Sequence, residues 1–158
     1  MNEIDATRDL EALRQLKARY CRLLDAKDWA AWRALFIDDF VSDTTASGGK
    51  LVTGADDFVA FVRKNLGAPK RVTVHQVHAP ELELLSEHAA RGIWALEDVI
   101  RFAPGIGMRG YGHYHETYER VEGQWRFKTS RLTRLRLDLV IGFISVCVPG
   151  SVLARVGR

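Results

Sequence analysis

The chain has 158 residues, of which 47% are hydrophobic and 27% charged, the size and balance of one globular domain rather than a disordered or disulfide-stapled chain. Its formal net charge is only +3. The late basic residues Arg126, Lys128, Arg131, Arg134, Arg136, Arg155 and Arg158 alternate with apolar ones, so a solvated strand face is expected and a nucleic-acid partner is not.

Leu10, Leu13, Leu16, Tyr20, Leu23 and Leu24 recur at three- and four-residue spacing, the stripe of an amphipathic helix. The residues before it mix charge with apolar side chains, unlike a signal peptide. Asp28 is placed to cap a second helix, on which Trp29, Trp32, Leu35 and Phe36 share a face. Phe40 to Thr53 reads as two short strands around the turn residues Ser47-Gly48-Gly49-Lys50. Gly54 opens a third helix with Asp56 and Asp57 in its first turn, where carboxylates suit the helix dipole. Phe58, Phe61, Val62 and Leu66 form its buried stripe, and Gly67 with Pro69 ends it.

From Arg71 the period changes to two, giving strand runs at 71–78, 81–86 with 89–102, 110–121 and 124–138. Pro104-Gly105 with Gly107 interrupts them, and Glu122-Gly123 makes the last hairpin turn. Leu139 to Val148 is the most apolar stretch, but it falls well short of the ~20 residues that span a bilayer, so no membrane partner is expected. Helices followed by long antiparallel strands predict an α+β fold, a curved sheet wrapped by three N-terminal helices around an apolar, cone-shaped pocket. Cys21 and Cys147 are expected to be buried thiols of a reducing, cytoplasmic compartment.

Alternation also sets polar groups on apolar faces. Trp94, Leu96, Asp98, Ile100 and Phe102 share one face, and a buried carboxylate is costly unless paired or protonated. Trp125, Phe127, Thr129, Arg131, Thr133, Leu135 and Leu137 share another, opposite Arg126, Lys128, Ser130, Arg134 and Arg136. That turns Arg131 inward, as a partner for Asp98 or for an anionic ligand group. Alternation leaves the face of His75 open. His75 and His78 point to opposite sides of a strand and cannot share a metal. His113 and His115 do share a face, but the sequence supplies no third ligand and no metal is expected. Tyr20 and Asp25 lie about 140° apart around a helix, so Tyr20 serves equally well as core. A phenol, an imidazole, a carboxylate and a guanidinium around one cavity suit proton transfer on an apolar substrate.

The run Ala18-Arg19-Tyr20-Cys21-Arg22-Leu23-Leu24-Asp25, with Asp28, Trp32, Leu35 and Phe36, resembles the first two helices of SnoaL-like proteins of the NTF2-like (cystatin-like) superfamily. Thr73-Val74-His75-Gln76 resembles their strand with a pocket histidine. Gly112-His113-Tyr114-His115-Glu116-Thr117-Tyr118, followed by Gly123-Gln124-Trp125-Arg126-Phe127, resembles their final hairpin, and the likeness covers about residues 5–137. It implies a cone-shaped α+β barrel. The closest functional pattern is that of bile-acid 7α-dehydratase and, more distantly, scytalone dehydratase. This implies His75, Tyr20, Asp98 and Asp25 as catalytic residues. In that scheme His75 is the general acid/base, Tyr20 binds the oxygen that gains charge, and Asp98 orients His75. Arg131, Trp94, His113 and Phe127 become the substrate-binding candidates. The resemblance further implies no cofactor, a small hydrophobic hydroxy-carbonyl substrate of steroid or polyketide type, and a homo-oligomer, trimer or dimer. A ketosteroid-isomerase-like isomerase and a non-catalytic ligand-binding protein are the alternatives. The chain after Asp138 departs from the pattern. It is read as an extension (139–158) to a domain at 1–138, acting as a lid or an interface segment.

Overall fold

The computed structural model describes residues 3–156. Helix α1 (Glu3–Ala26) buries Leu13, Leu16, Tyr20, Leu23 and Leu24, each worth about 1.5–3 kcal/mol of apolar transfer for the aliphatic chains. Lys27 breaks it with a φ of 60°, and the Asp28 carboxylate accepts from the Ala31 amide at 3.2 Å to start α2 (Trp29–Arg33). That helix is shorter than its apolar face suggests. The Leu35 carbonyl accepts from the Phe127 amide at 2.9 Å, which draws the chain into the sheet, so Phe36 opens strand β1 (Phe36–Asp43) instead of extending the helix. A 3-10 turn (Thr45–Ser47), β2 (Leu51–Thr53) and helix α3 (Ala55–Leu66) follow. Arg33 ties Asp38 and Asp56 together, each at 2.6 Å.

The remaining strands are β3 (Val72–Leu84), β4 (Ala89–Ala103), β5 (Ile106–Val121), β6 (Gln124–Ile141) and β7 (Ile144–Pro149), with helix α4 (Gly150–Val156) last. The sheet order is β2-β1-β6-β5-β4-β3, with β7 also beside β6. Every pairing is antiparallel except β1 with β6. The runs 71–78 and 81–86 belong to one strand, β3, bulged after His78 where Ala79 takes a φ of 45°. Glu122 and Gly123 both have positive φ, the two-residue turn whose twist matches its strands. The fold is the expected α+β one, with α1 to α3 packed on the inner face of a curved, unclosed sheet. Trp32, Phe36, Phe40, Phe58 and Phe127 fill the helix-covered end of that face.

Strand β4 keeps its alternation: Ala90, Gly92, Trp94, Leu96, Asp98 and Ile100 all face inward and are buried. Phe102, expected with them, lies at the open end of the sheet, 39% exposed under the Arg71 guanidinium. Strand β6 does not keep it. Phe127 pairs with Tyr118 and Thr129 with Thr117, so Lys128 is an extra residue, and a bulge of one residue exchanges the two faces of a strand. A second extra residue, Leu135, lies between the Arg134–Gly112 and Arg136–Tyr111 pairs. The inner face of β6 is therefore Trp125 and Phe127, then Ser130, Leu132 and Arg134, then Leu137. Arg131, expected inward, is exposed on the outer face, and Arg134, expected outward, is the arginine that points in.

Candidate active site

One register row crosses the sheet through His75, Asp98, Gly110, Leu137 and Val148. The last turn of α1 lies against its β3 end and supplies Asp25. This carboxylate accepts from the Thr73 hydroxyl at 2.9 Å, from the His75 amide at 2.8 Å and from His75 Nδ1 at 2.7 Å. An ionised carboxylate can only accept, so Nδ1 donates in this bond, which in the neutral ring leaves the lone pair on Nε2. The imidazole is 5% exposed. Its neighbour across the strand pair, Asp98, was expected to orient it. Asp98 instead holds Arg134 through two parallel bonds of 3.0 and 2.5 Å, with both side chains buried. Fork-to-fork geometry of this kind gives the charged pair a fixed orientation. Gly110 makes room for it, because a Cβ there would overlap Arg134 Nη1 and Asp98 Oδ1.

Tyr114 faces this pair. Burial, then the Asp98 charge, raises its phenol well above the usual range, against a smaller opposing effect of Arg134. Tyr20 lies behind it, ring centroids 6.1 Å apart. Burial, then Tyr114 and Glu116, pushes the Tyr20 phenol up in the same direction. Both phenols are thus held neutral as hydrogen-bond donors. Deeper still, Lys17 Nζ meets Glu116 Oε1 at 2.6 Å with neither side chain exposed. The ammonium also lies 3.7 Å from the Tyr114 ring centroid and 4.3 Å from that of Tyr20. Glu116 accepts from Tyr118 at 2.7 Å and from Ser130 at 3.3 Å, and Trp94 Nε1 donates to Tyr118 at 2.8 Å.

Residues 5–131 match the family described as the SnoaL-like domain. The chain belongs to that family. A curated relative, the "Probable cyclase FGR4" of Gibberella zeae, is 24% identical over 140 residues, 81% of this chain and 92% of the relative. Among solved structures, a candidate scytalone dehydratase of Novosphingobium aromaticivorans superposes with a TM-score of 0.76 at 22% identity, covering 84% of this chain and 87% of its own. A hexachlorocyclohexane dehydrochlorinase, LinA type 2, reaches a TM-score of 0.78 at 18% identity, covering 94% and 99%. At these identities the superpositions show the shared NTF2-like fold.

Within this SnoaL-like domain the candidate residues divide. His75, Asp25 and Asp98 converge, and Trp94 joins His75, Cys21 and Val77 around a pocket of about 480 Å³ between α1 and β3. Tyr20 and Phe127 are aromatic core, their ring centroids 5.2 Å apart. Arg131 and His113 lie on the other side of the sheet from His75. There Arg131 lines a groove of about 660 Å³ with Glu83, Arg91, His115 and Thr117. His113 and His115 are neighbours on that outer face, 6.3 Å between ring centroids. Burial lowers His115 below the ordinary imidazole range, helped by His113 and Arg131. Cys21 is buried as expected, which pushes its thiol up to about 11, whereas Cys147, expected to be buried, is exposed on β7. Among the described residues no helix is long and apolar enough to cross a membrane.

Sequence reasoning missed Lys17, Glu116, Tyr114 and Arg134. For Tyr114 and Glu116 the signal was present: Gly112, Tyr114, Glu116 and Tyr118 occupy the even, inward positions of β5, the side away from the two histidines. Lys17 sits beside Leu13, Leu16 and Tyr20 on the buried stripe of α1.

Proposed function

We propose that this SnoaL-like domain is a cofactor-independent lyase that eliminates water from a hydrophobic hydroxy-carbonyl compound, with His75 as the proton-transfer group. The observation that carries the reading is the Asp25 cradle. Two donors, the Thr73 hydroxyl and the His75 amide, fix the Asp25 carboxylate against Nδ1, which leaves the neutral His75 ring with a single basic nitrogen and an anion positioned to stabilise the imidazolium. In the first step Nε2 takes the proton from the carbon beside the carbonyl. The electron pair moves onto the carbonyl oxygen, where the neutral Tyr114 phenol and the Arg134 guanidinium supply donors for the developing charge. In the second step the enolate re-forms the carbonyl and expels the β-hydroxyl. The imidazolium returns its proton to that group, so water leaves and His75 is restored. Asp98 keeps Arg134 in place, and Trp94 forms an apolar wall. The names of the two structural relatives support an elimination, of water in one and of hydrogen chloride in the other.

The test is a panel of cyclic and fused-ring β-hydroxy ketones incubated with the wild-type chain, His75→Asn and Asp25→Asn, read by mass spectrometry for loss of water. The wild-type chain is expected to dehydrate at least one compound. Both variants are expected to lose about 10²–10⁴ in kcat/KM with unchanged circular dichroism. Equal turnover by His75→Asn would remove the assignment. Deuterium uptake beside the carbonyl without loss of water would replace the lyase with an isomerase.

A further inference from the structure

The groove of about 660 Å³ on the outer face of the sheet has no part in the elimination at His75. It is a trench that crosses β3, β4, β5 and β6. Its floor is the backbone of Leu82, Gly92 and Glu116, a register row whose side chains belong to the inner face. The outward rows on either side make its walls. One wall is Glu83, Arg91, Thr117 and Thr129, and the other is Glu81, Ile93, His115 and Arg131. Two residues of strand separate the walls, about 7 Å, and three strand spacings give the trench a length of about 14 Å. Its two ends differ in charge. At the β3–β4 end Glu83 and Arg91 neutralise each other at 2.7 Å, which leaves the Glu81 carboxylate. At the β5–β6 end stands the Arg131 guanidinium. Its register neighbour on β1, Asp43, already accepts from the Thr45 amide at 2.9 Å and the Thr45 hydroxyl at 2.6 Å. Among the described residues neither Arg131 nor Glu81 makes an ion pair.

We infer that this trench binds a small organic carboxylate, with the anionic group at Arg131 and the apolar body over Ile93. Donors are the first argument. The planar fork of a guanidinium matches a carboxylate through two parallel bonds, and that of Arg131 faces the trench without a protein acceptor. Beside it, Thr117 and Thr129 join their hydroxyls in one hydrogen bond of 2.7 Å. That bond uses one of their two protons and leaves the other for a further acceptor. The local field is the second argument. Burial, then His113 and Arg131, lowers His115 below the ordinary imidazole range, and surroundings that repel a proton favour an anion. Shape and polarity supply the third. Ile93 lies in the same row, two strand spacings or about 10 Å from Arg131, as the apolar side chain between His115 and Glu81. The Glu81 charge at the far end repels an anion, so the carboxylate end of the ligand is directed to Arg131. A hydrated inorganic anion gains nothing from Ile93. A nucleic-acid backbone calls for a run of cations, where this trench carries Glu81 and Glu83. The volume falls within the ordinary range of small-molecule sites. This inference concerns the outer face and stands whether or not the elimination at His75 does.

The experiment is titration of the full chain with cinnamate, read by calorimetry and by amide NMR, with cinnamyl alcohol as the uncharged counterpart. The wild-type chain is expected to bind cinnamate with a sub-millimolar Kd, and the largest amide shifts are expected at Gly92, Glu116 and Arg131. Arg131→Gln is expected to weaken binding by about tenfold or more, and cinnamyl alcohol to bind the wild-type chain more weakly by a similar factor. Thr117→Val keeps the shape of the wall and deletes a hydroxyl, so a smaller loss is expected. Arg109→Gln removes an outer-face cation outside the trench, one that is 54% exposed, and is expected to leave the affinity unchanged. The variants lie at exposed or half-buried positions, and circular dichroism checks that each is folded. Equal losses in Arg131→Gln and Arg109→Gln overturn the inference, because the attraction would then be to net charge alone. So do amide shifts centred on Val77 and Trp94 beside His75, equal binding of the alcohol, or no saturable binding at millimolar cinnamate.

Discussion

Replacing Lys17 with methionine tests the buried network beneath the site. Methionine keeps most of the packing of the lysine stem and deletes the ammonium. Glu116 then stays fully buried with two hydroxyl donors, Tyr118 and Ser130, and no cation. Breaking a buried pair by removing one partner costs about 3–5 kcal/mol, and the ammonium's position over Tyr114 and Tyr20 places the expected loss in that range rather than below it. For a chain of this length each kcal/mol lowers Tm by roughly 2–4 °C, so a fall of roughly 6–20 °C is expected by calorimetry. Adding Glu116→Gln removes the orphaned charge while keeping an acceptor for Tyr118 and Ser130. The double variant is expected to recover to within ~1 kcal/mol of the wild-type chain, a large coupling in a double-mutant cycle. A single-variant loss below ~1 kcal/mol, or a double variant no more stable than the single, would refute the reasoning, because Glu116 would then not depend on Lys17 for its charge.

The bulge at Lys128 decides which of two arginines three residues apart points inward. Arg134→Met leaves Asp98 buried without its cation and is expected to lose about 3–5 kcal/mol in urea denaturation, whereas Arg131→Met at the exposed outer face is expected to stay within ~0.5 kcal/mol. Equal losses would mean the register is wrong. His115 gives a pH signature. Its native value lies below the ordinary one, so the unfolded chain binds the proton more readily. The stability linked to it is present above about pH 6.5 and declines as pH falls through the lowered native value. His115→Gln is expected to flatten this decline in Tm between about pH 7 and pH 5, and an unchanged slope would assign the decline to other groups.

The legible parts of the fold were those where one local rule acted without interruption. Strand β4 runs from Ala90 to Ile100 without a bulge, so its alternation put Asp98 inward. The Glu122-Gly123 turn and the Asp56–Asp57 start of α3 follow from backbone preference alone. Arg131 and Arg134 were exchanged because Lys128 is an extra residue with no compositional mark: small hydroxyls and arginines as a set occur on both sides of β6, Thr129 and Thr133 outward and Ser130 inward, and the partner strand alone defines the register. The helical angle between Tyr20 and Asp25 was informative. Tyr20 turns into the aromatic core, and Asp25 reaches the strand that carries Thr73 and His75. Which carboxylate orients His75 was beyond local reasoning, because it depends on α1 ending against β3, some fifty residues later in the chain. Lys17 was hidden by its setting, one cation among several on a helix whose other cations, Arg8, Arg14, Arg19 and Arg22, are exposed.

The account rests on one proton, the one between His75 Nδ1 and Asp25. Long-range proton–nitrogen NMR of the His75 ring, recorded in the wild-type chain and in Asp25→Asn at about pH 8, where an ordinary imidazole is neutral, observes it directly. The result expected is an Nδ1-protonated ring in the wild-type chain and a shift toward the Nε2-protonated tautomer in the variant. An Nε2-protonated ring in the wild-type chain, or a tautomer indifferent to Asp25, would contradict the account, since the nitrogen assigned to take the substrate proton would already hold one.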